Sequence, residues 1–198
     1  NYATALGDDK ESEQLLTCWQ QENIETSLIR RIAGKLPGRY QIQTSAHGER
    51  HFVYQRDDSA AKQYLKCAAN LLKDCLLSGR VDYFYFTGIS LAILSQQDRE
   101  CLFTLLAAFK AQGGQIIFDN NYRAKLWQNQ QIKANYHQAL LLADIALLTD
   151  EDEYELYGSK ENDAEETPST ILKRLAPYQI DEIIIKQGNK PCIVKYKE

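Results

Sequence analysis

The sequence predicts an α/β protein built around a mostly parallel sheet. Four short apolar segments suited to buried strands recur at intervals of about 30 to 40 residues, with helical patterns between them. They lie at residues 81–86, 115–118, 144–148 and 182–186. This alternation is typical of βαβ crossovers, which join parallel strands. Polar or charged residues follow each segment, at the position where open parallel sheets bind ligands.

The helices are predicted from apolar spacing and from capping residues. Ser95 with Asp98 three residues later is an N-terminal capping pattern. Pro168 follows Thr167, and proline suits the first helical position. A last strand is expected near residues 192–196. The predicted helices cover residues 12–22, 67–76, 95–109, 130–142 and 167–175.

One segment does not fit the parallel pattern. Residues 39–44 and 49–56 alternate in polarity on either side of a turn at 45–48, which predicts a β-hairpin. Tyr54 and Arg56 are two residues apart and share a face of their strand, and Tyr40 on the partner strand could share it. A tyrosine hydroxyl and a guanidinium suit a carboxylate ligand. A solvated sheet face with cross-strand aromatic packing is the alternative.

Polar loops follow the four predicted strands, at residues 87–90, 119–123, 149–152 and 186–188. Asp119, Asn121 and Arg123 combine an acid, an amide and a guanidinium, which suit a phosphate or carboxylate ligand. Each loop also has a simpler interpretation, such as a helix N-cap at 149–152 or a turn between strands at 186–188. Four such loops in register along one sheet edge favour a cleft for a nucleotide or another phosphorylated ligand.

Composition argues against several classes of protein. The chain has 198 residues, of which 44% are apolar and 25% charged, as expected of one globular domain. The net charge is −4 and the basic residues form no block, so nucleic acid is not an expected partner. No apolar run approaches the roughly 20 residues that a membrane helix needs, so no membrane is expected either.

The cysteines and histidines suggest neither disulfides nor a metal site. The five cysteines are widely spaced and odd in number, which favours reduced thiols in a cytosolic protein, mostly as small core residues. His47 and His51 are four residues apart, but they lie in the hairpin pattern and are expected to be surface residues. No metal ligands are predicted within the chain.

Several motifs together resemble the 2-keto-3-deoxygluconate kinases, a subgroup of the ribokinase-type carbohydrate kinases. Among them are the segment from Phe118 to Trp127, which contains Asp-x-Asn-x-Arg, and the segment from Tyr83 to Leu94. The resemblance covers essentially the whole chain, and several motifs are typical of the subgroup. Further motifs lie at residues 4–8, 36–40, 48–50, 54–56, 143–145, 149–152, 156–158 and 185–188.

The resemblance implies a three-layer α/β/α fold with a small β-lid. It implies a single ribokinase-like domain over residues 1–198, partial with respect to the family, with the lid inserted near residues 28–56. The implied activity is transfer of the ATP γ-phosphoryl group to the C6 hydroxyl of 2-keto-3-deoxygluconate, with Mg²⁺ as cofactor. The sugar acid and ATP are the implied small-molecule partners. We expect a cytoplasmic enzyme for which a homo-oligomer is an open possibility.

The resemblance also implies roles for individual residues. Arg123 matches an arginine that reaches both the sugar acid and the phosphate, and we expect it to offset charge in the transition state. The general base, an aspartate, is expected outside this chain. The residues that match sugar-acid contacts are Tyr40, Tyr54, Gln55, Arg56, Ile89 and Arg123. Those that match ATP contacts are Asn121, Tyr122, Arg123, Lys186, Gln187 and Gly188.

The chain departs from the family pattern in a few places. Thr149 and Asp152 stand where ribokinases generally have Asn and Glu, and Pro191 replaces a small residue. The family's Gly-Ala-Gly-Asp segment, which supplies the anion hole and the base, is expected beyond Glu198. Its Gly-rich sugar-binding segment is expected before Asn1. We therefore expect the 198-residue chain to be truncated at both ends and inactive by itself.

Two other functions are compatible with these motifs. One is a non-catalytic module that binds a sugar acid or a nucleotide and has a kinase-like fold. The other is a kinase for a neutral sugar such as fructose. The Tyr54-x-Arg56 pair argues against the second, because a neutral sugar needs no second guanidinium.

Overall fold

The computed structural model describes residues 1–45, 48, 50–127, 131–158 and 167–197. These residues fall into two compact units, Asn1–Asp74 and Cys75–Glu198. The single domain expected from the sequence, with an insertion near residues 28–56, stays a prediction. His47 lies outside the described residues, whereas His51 is exposed on its strand as expected.

The first unit contains four strands, one complete helix and most of a second. Asp9 determines where the first helix begins, because its carboxylate accepts the backbone N–H groups of Glu11 and Ser12 at 3.0 and 3.2 Å. The helix therefore starts two residues before the predicted range. The elements are β1 (Ala5–Leu6), α1 (Lys10–Gln21), β2 (Arg30–Arg31), β3 (Arg39–Thr44), β4 (Arg50–Gln55), a 3₁₀ turn (Ala60–Gln63) and α2 (Tyr64–Leu76).

Strands β3 and β4 form the predicted hairpin. They pair antiparallel in a two-stranded sheet, with Tyr40 directly opposite Tyr54 and Arg39 opposite Gln55. Because neighbouring residues of a strand point to opposite faces, the tyrosine pair and the Arg39–Gln55 pair lie on different sides of the hairpin. β1 and β2 form a separate parallel pair.

The second unit contains the predicted parallel sheet. The strand order is β5-β6-β7-β8-β9, in which the first four strands are parallel and β9 is antiparallel to β8. The fold class predicted from the sequence is therefore confirmed. Its elements are β5 (Tyr83–Thr87), α3 (Gly88–Ile93), α4 (Gln96–Ala111), β6 (Gln115–Asp119), a 3₁₀ turn (Ala124–Leu126), α5 (Ile132–Leu142), β7 (Ile145–Thr149), α6 (Asp150–Tyr157), α7 (Pro168–Leu175), β8 (Glu182–Gln187) and β9 (Lys190–Tyr196).

Alternate residues of the central strands form the core of the second unit. Phe86, Phe118 and Ile185 are at most 3% exposed, and the ring centroids of Phe86 and Phe118 are 5.1 Å apart. Tyr136 of α5 meets Phe118 edge to face at 5.4 Å. α4 and α5 pack against β6, and α6 packs against β7 and β8. This packing fixes the positions of the strand ends from which the polar loops leave.

The expectation that the cysteines are mostly core residues is wrong. All five thiols are free, and each is exposed or partly exposed. In α2 the buried stripe runs along Leu65, Leu72 and Leu76 rather than along the cysteines, because it lies on a different face of the helix. No helix within the described ranges is long and apolar enough to cross a membrane.

Candidate active site

The loop that follows β6 makes one further backbone hydrogen bond to the neighbouring strand and then leaves the sheet. The N–H of Asn120 donates to the carbonyl of Leu147 on β7 at 3.0 Å, and the chain is then irregular through Arg123. Asn121 has a φ of +28°, in the left-handed region that few residues other than glycine, Asn and Asp adopt. An irregular segment of this kind needs side chains to satisfy its backbone.

Asp152, in the first turn of α6, provides such a partner. Its Oδ2 accepts the N–H of Tyr122 at 3.1 Å, and its Oδ1 accepts from Nη1 of Arg123 at 3.3 Å. The same Nη1 donates to the carbonyl of Tyr122 at 2.8 Å. The Arg123 side chain is 54% exposed, whereas that of Asp152 is only 12% exposed. One buried carboxylate therefore orients a guanidinium that still faces solvent.

Burial also changes the protonation chemistry of Asp152. It raises the pKa of the Asp152 carboxyl above its ordinary value, while the Tyr122 N–H and the Arg123 guanidinium act in the opposite direction. The predicted N-cap at residues 149–152 is only partly correct. Thr149 does precede α6, but its side chain makes no capping hydrogen bond.

Asp119 and Lys186 lie close together at the same strand ends. Lys186 Nζ lies 3.5 Å from Asp119 Oδ1, and the Tyr85 hydroxyl donates to Asp119 Oδ2 at 3.1 Å. Burial, together with the negative charge of Asp119, raises the pKa of Tyr85 to about 12. Asp119 Oδ1 accepts no hydrogen bond from any described residue. Tyr85 was not among the predicted site residues, although it shares a sheet face with Asp119.

The remaining ATP-contact candidates lie at the end of β8. Lys186 and Gln187 are its last residues, and Gly188, with a φ of +54°, begins the turn into β9. The simpler interpretation of this motif, a turn between two strands, is thus correct as a description of its structure. The ATP contacts of Lys186, Gln187 and Gly188 stay predictions.

The loop after β5 is a helix start rather than an open loop. Thr87 Oγ1 accepts the Ser90 N–H at 3.2 Å, and Ser90 Oγ accepts the Thr87 N–H at 3.2 Å, which is a reciprocal capping box. Ile89 therefore lies in the first turn of α3. Its contact with the sugar stays a prediction.

In the hairpin, three of the four predicted sugar-acid residues lie together. The rings of Tyr40 and Tyr54 are 6.4 Å apart, and Cζ of Arg56 lies 4.2 Å from the centroid of the Tyr54 ring. Gln55 is on the opposite face, where it lines a cleft of about 550 Å³ between the hairpin and α1. There Arg39 Nε lies 2.6 Å from Glu11 Oε2. The structure thus groups Tyr40, Tyr54 and Arg56. It places Gln55 on the opposite face, in a cleft whose lining Tyr40 shares.

The described ranges contain no group of three or more His, Cys, Asp or Glu side chains that could hold a metal ion. Mg²⁺ that is bound through nucleotide phosphates needs only one or two protein carboxylates, with water completing its shell. Asp119, at the end of β6, is a carboxylate of this kind, because its Oδ1 accepts no hydrogen bond from the described residues. The residues present therefore fit Mg²⁺ that arrives with a nucleotide.

Comparison with known proteins places the chain among sugar kinases. The model of the pfkB family carbohydrate kinases matches residues 1–198. The 2-dehydro-3-deoxygluconokinase of Dickeya dadantii (strain 3937) is 43% identical over 196 residues, which are 98% of this chain and 61% of that protein. The enzyme of the same name from Escherichia coli (strain K12) is 40% identical over 195 residues, with the same coverage.

A solved structure shares the fold. The crystal structure of fructokinase from Xylella fastidiosa with bound ATP has a TM-score of 0.78 and 20% identity, and the match covers 98% of this chain and 58% of that one. The chain spans about three fifths of the length of the curated relatives it matches. With the family model matched from end to end, this chain belongs to the pfkB family of carbohydrate kinases.

Proposed function

We propose that this chain carries sugar-acid and nucleotide contacts of a 2-keto-3-deoxygluconate kinase, which transfers the ATP γ-phosphoryl group to the C6 hydroxyl of that sugar acid. The observation that carries the proposal is the hairpin cluster, in which Arg56 stacks on Tyr54 beside Tyr40. Its support is the similarity to two curated relatives that bear the name of this activity. ATP as the phosphoryl donor is supported by membership of the family.

The hairpin cluster suits the carboxylate of a sugar acid. A guanidinium stacked on an aromatic ring keeps its N–H edge available for a two-pronged pair with a carboxylate. The Arg56 guanidinium has no ion-pair partner among the residues that the structure describes. Tyr40 and Tyr54 add hydroxyl groups on rigid rings. A neutral sugar would leave this guanidinium without a counter-charge.

The loop after β6 suits the phosphoryl group. Phosphoryl transfer depends mostly on positioning and on electrostatic stabilisation of the transferring group. Arg123 is held by Asp152 on one side and is half exposed on the other, so it can pair with developing charge. Asn121 and Tyr122 then contact ATP beside it, and Lys186, Gln187 and Gly188 contact the nucleotide from the end of β8.

Mg²⁺ would be held mainly by the ATP phosphates, with Asp119 as the protein carboxylate. When bound, it supplies positive charge to the phosphate oxygens. Asp152, whose two oxygens accept the Tyr122 N–H and the Arg123 guanidinium, keeps Arg123 in place. A cytoplasmic location is part of the proposal, and a homo-oligomer stays an open expectation from the sequence.

Substrate discrimination by the longest protein that the gene encodes tests the proposal. ADP release would be followed with 2-keto-3-deoxygluconate, its galactonate-type epimer and fructose. We expect kcat/KM for one of the sugar acids to exceed that for fructose by about 100-fold or more, since sites built to pair a charged or hydrogen-bonding group reject substrates without it. Equal turnover of fructose would indicate a neutral-sugar kinase. ATP binding without turnover of any sugar would indicate a non-catalytic module.

A further inference from the structure

Asn120, the residue before Asn121, is almost completely buried, with 1% of its surface exposed. Its carboxamide makes hydrogen bonds in two directions. Oδ1 accepts the N–H of Asn121 at 2.7 Å and the N–H of Thr149 at 3.2 Å. Nδ2 donates to the carbonyl of Thr149 at 3.3 Å and to Glu153 Oε1 at 2.9 Å. The side chain thus joins the loop after β6 to the first turn of α6.

The partner Glu153 is itself fixed from the far side. It is 2% exposed, and its other carboxylate oxygen pairs with the Arg174 guanidinium of α7. Arg174 in turn stacks on the Tyr157 ring, with Cζ 3.9 Å from the ring centroid. A buried carboxylate is tolerable only when it is paired and hydrogen-bonded, as Glu153 is. Asn120 therefore donates to an acceptor whose position α6 and α7 determine together.

The backbone of Asn120 is held just as closely. Its carbonyl accepts the hydroxyl of buried Tyr136 at 2.6 Å. A Cβ built on Gly88 would lie 2.1 Å from that carbonyl oxygen, so the start of α3 also packs directly against it. Both the side chain and the backbone of Asn120 are thus fixed, one residue before the strained Asn121 and three before Arg123.

We propose that Asn120 is a positioning residue, which sets the conformation of residues 121–123 by clamping the loop to the first turn of α6, where Asp152 holds Arg123. A carboxamide is needed because one end must accept two N–H groups while the other donates to a carboxylate and a carbonyl. Nothing in the position of Asn120 gives it contact with a substrate. Its consequence for phosphoryl transfer rests on the proposed function, whereas its control of the loop conformation does not.

The isosteric change Asn120→Asp tests the clamp in the longest protein that the gene encodes. It would set a carboxylate against that of Glu153 and against the Thr149 carbonyl, in place of two donated hydrogen bonds. We expect amide hydrogen exchange, measured by NMR, to accelerate about tenfold or more at Asn121 and Tyr122, with little change at Ile116 and Phe118 in β6. Adding Glu153→Gln restores a donor for the new carboxylate and should recover part of the protection.

Asn135→Asp is the matched control. Asn135 is also buried, at 5% exposure, and its Nδ2 donates to the carbonyl of Gln131 in the α5 region. This variant should leave exchange at Asn121 and Tyr122 within about twofold of wild type, since local openings in separate segments are largely independent. Equal acceleration in both variants would overturn the proposal, as would unchanged loop exchange in Asn120→Asp. If Asn120→Asp fails to fold, the smaller uncharged change Asn120→Ser takes its place under the same criteria.

Kinetics of the longest encoded protein then separate positioning from general destabilisation. Per folded molecule, Asn120→Asp should lower kcat by about 100-fold while ATP and sugar KM values change little, because a displacement near 1 Å costs about that much in rate. Addition of Glu153→Gln should restore part of kcat. Unchanged kcat per folded molecule would overturn the catalytic part of the proposal. If the wild type phosphorylates no sugar acid, the proposed function fails, and the exchange measurement still decides the role of Asn120.

Discussion

At the scale of single residues, Arg123 and Asp152 form the pair on which the proposed chemistry depends. The guanidinium is exposed and the carboxylate is buried, so the pair is anchored from the protein side. An ion pair with one half-exposed partner contributes little to stability. The value of this pair lies in orientation, because an arginine that is already in place needs no reorganisation when charge develops on the phosphoryl group.

Arg123→Lys should lower kcat of the longest encoded protein by about 10- to 100-fold. Lysine keeps the positive charge but loses the planar fork that pairs with two oxygens at once, so only part of the stabilisation survives. Steady-state kinetics with circular dichroism as a fold check would measure this. Arg80→Lys, at an exposed position, is the matched control and should change nothing. A change confined to KM would contradict a catalytic role for Arg123, since its contacts would then be equal in the ground and transition states.

Asp152→Asn should separate stability from activity. Because burial raises the pKa of Asp152 in the folded state, its ionisation costs more there than in the unfolded chain. Stability from this group is therefore present at low pH and is lost as the pH rises above the ordinary value of 3.8. The free energy of unfolding of the variant, relative to wild type, should increase with pH over that range and then level off, while kcat falls because Arg123 loses its anchor.

Urea unfolding at a series of pH values would measure the stability part of this prediction. Asp181→Asn is the control, since the Asp181 side chain is more than half exposed and pairs with the exposed Lys197. Its difference from wild type should not follow the same pH course. A relative stability of Asp152→Asn that decreases with rising pH would show that its ion pair outweighs its burial.

At the scale of elements, the two faces of the hairpin have different partners. Tyr40, Tyr54 and Arg56 form a cluster on one face, and among the described residues Arg56 has no acidic partner. On the other face, Arg39 pairs with Glu11 of α1. Period-two alternation separates the faces, which is why Gln55 lies away from its neighbours in sequence. The hairpin is therefore suited to bind a ligand on one side while α1 supports the other.

Arg56→Ala should raise KM for the sugar acid by about 10- to 100-fold, which corresponds to the loss of roughly 1.5–3 kcal/mol for a charge-assisted pair. KM for ATP should stay within about twofold. Arg39→Ala, which removes a guanidinium from the opposite face, is the matched control and should leave sugar KM near the wild-type value. Equal losses for both substrates in Arg56→Ala would indicate that Arg56 supports the hairpin itself.

Most elements could be predicted from local patterns, and the misses have local causes. The Ser95 and Thr167 caps both hold, because a hydroxyl and the N–H three residues later are specified by sequence alone. The 3₁₀ turns and the short helix α3 escaped prediction, since three to six residues carry too little periodicity. The prediction that the cysteines are core residues was wrong because helical spacing identifies an apolar stripe on α2, but not which of two adjacent stripes faces the core.

At the scale of the whole molecule, the sequence identified the loops of the candidate site but not what connects them. Parallel strands carry their outgoing loops to one edge, so Arg123, Thr149 and Lys186 could be grouped in advance. Tyr85 and Asn120 could not, because their partners are about 30 residues away in the chain and depend on strand register. Hydrogen bonds between residues so far apart in the chain produce no recognisable pattern in the local sequence.

We have proposed that the chain belongs to an enzyme that phosphorylates the C6 hydroxyl of 2-keto-3-deoxygluconate. The most direct measurement is the structure of the product, determined by ³¹P–¹H correlation NMR after incubation of the longest encoded protein with ATP, Mg²⁺ and the sugar acid. We predict a single new phosphate monoester whose ³¹P resonance couples to the two protons on C6. Phosphate on any other carbon, or no sugar phosphate under conditions in which ATP binds, would contradict the claim.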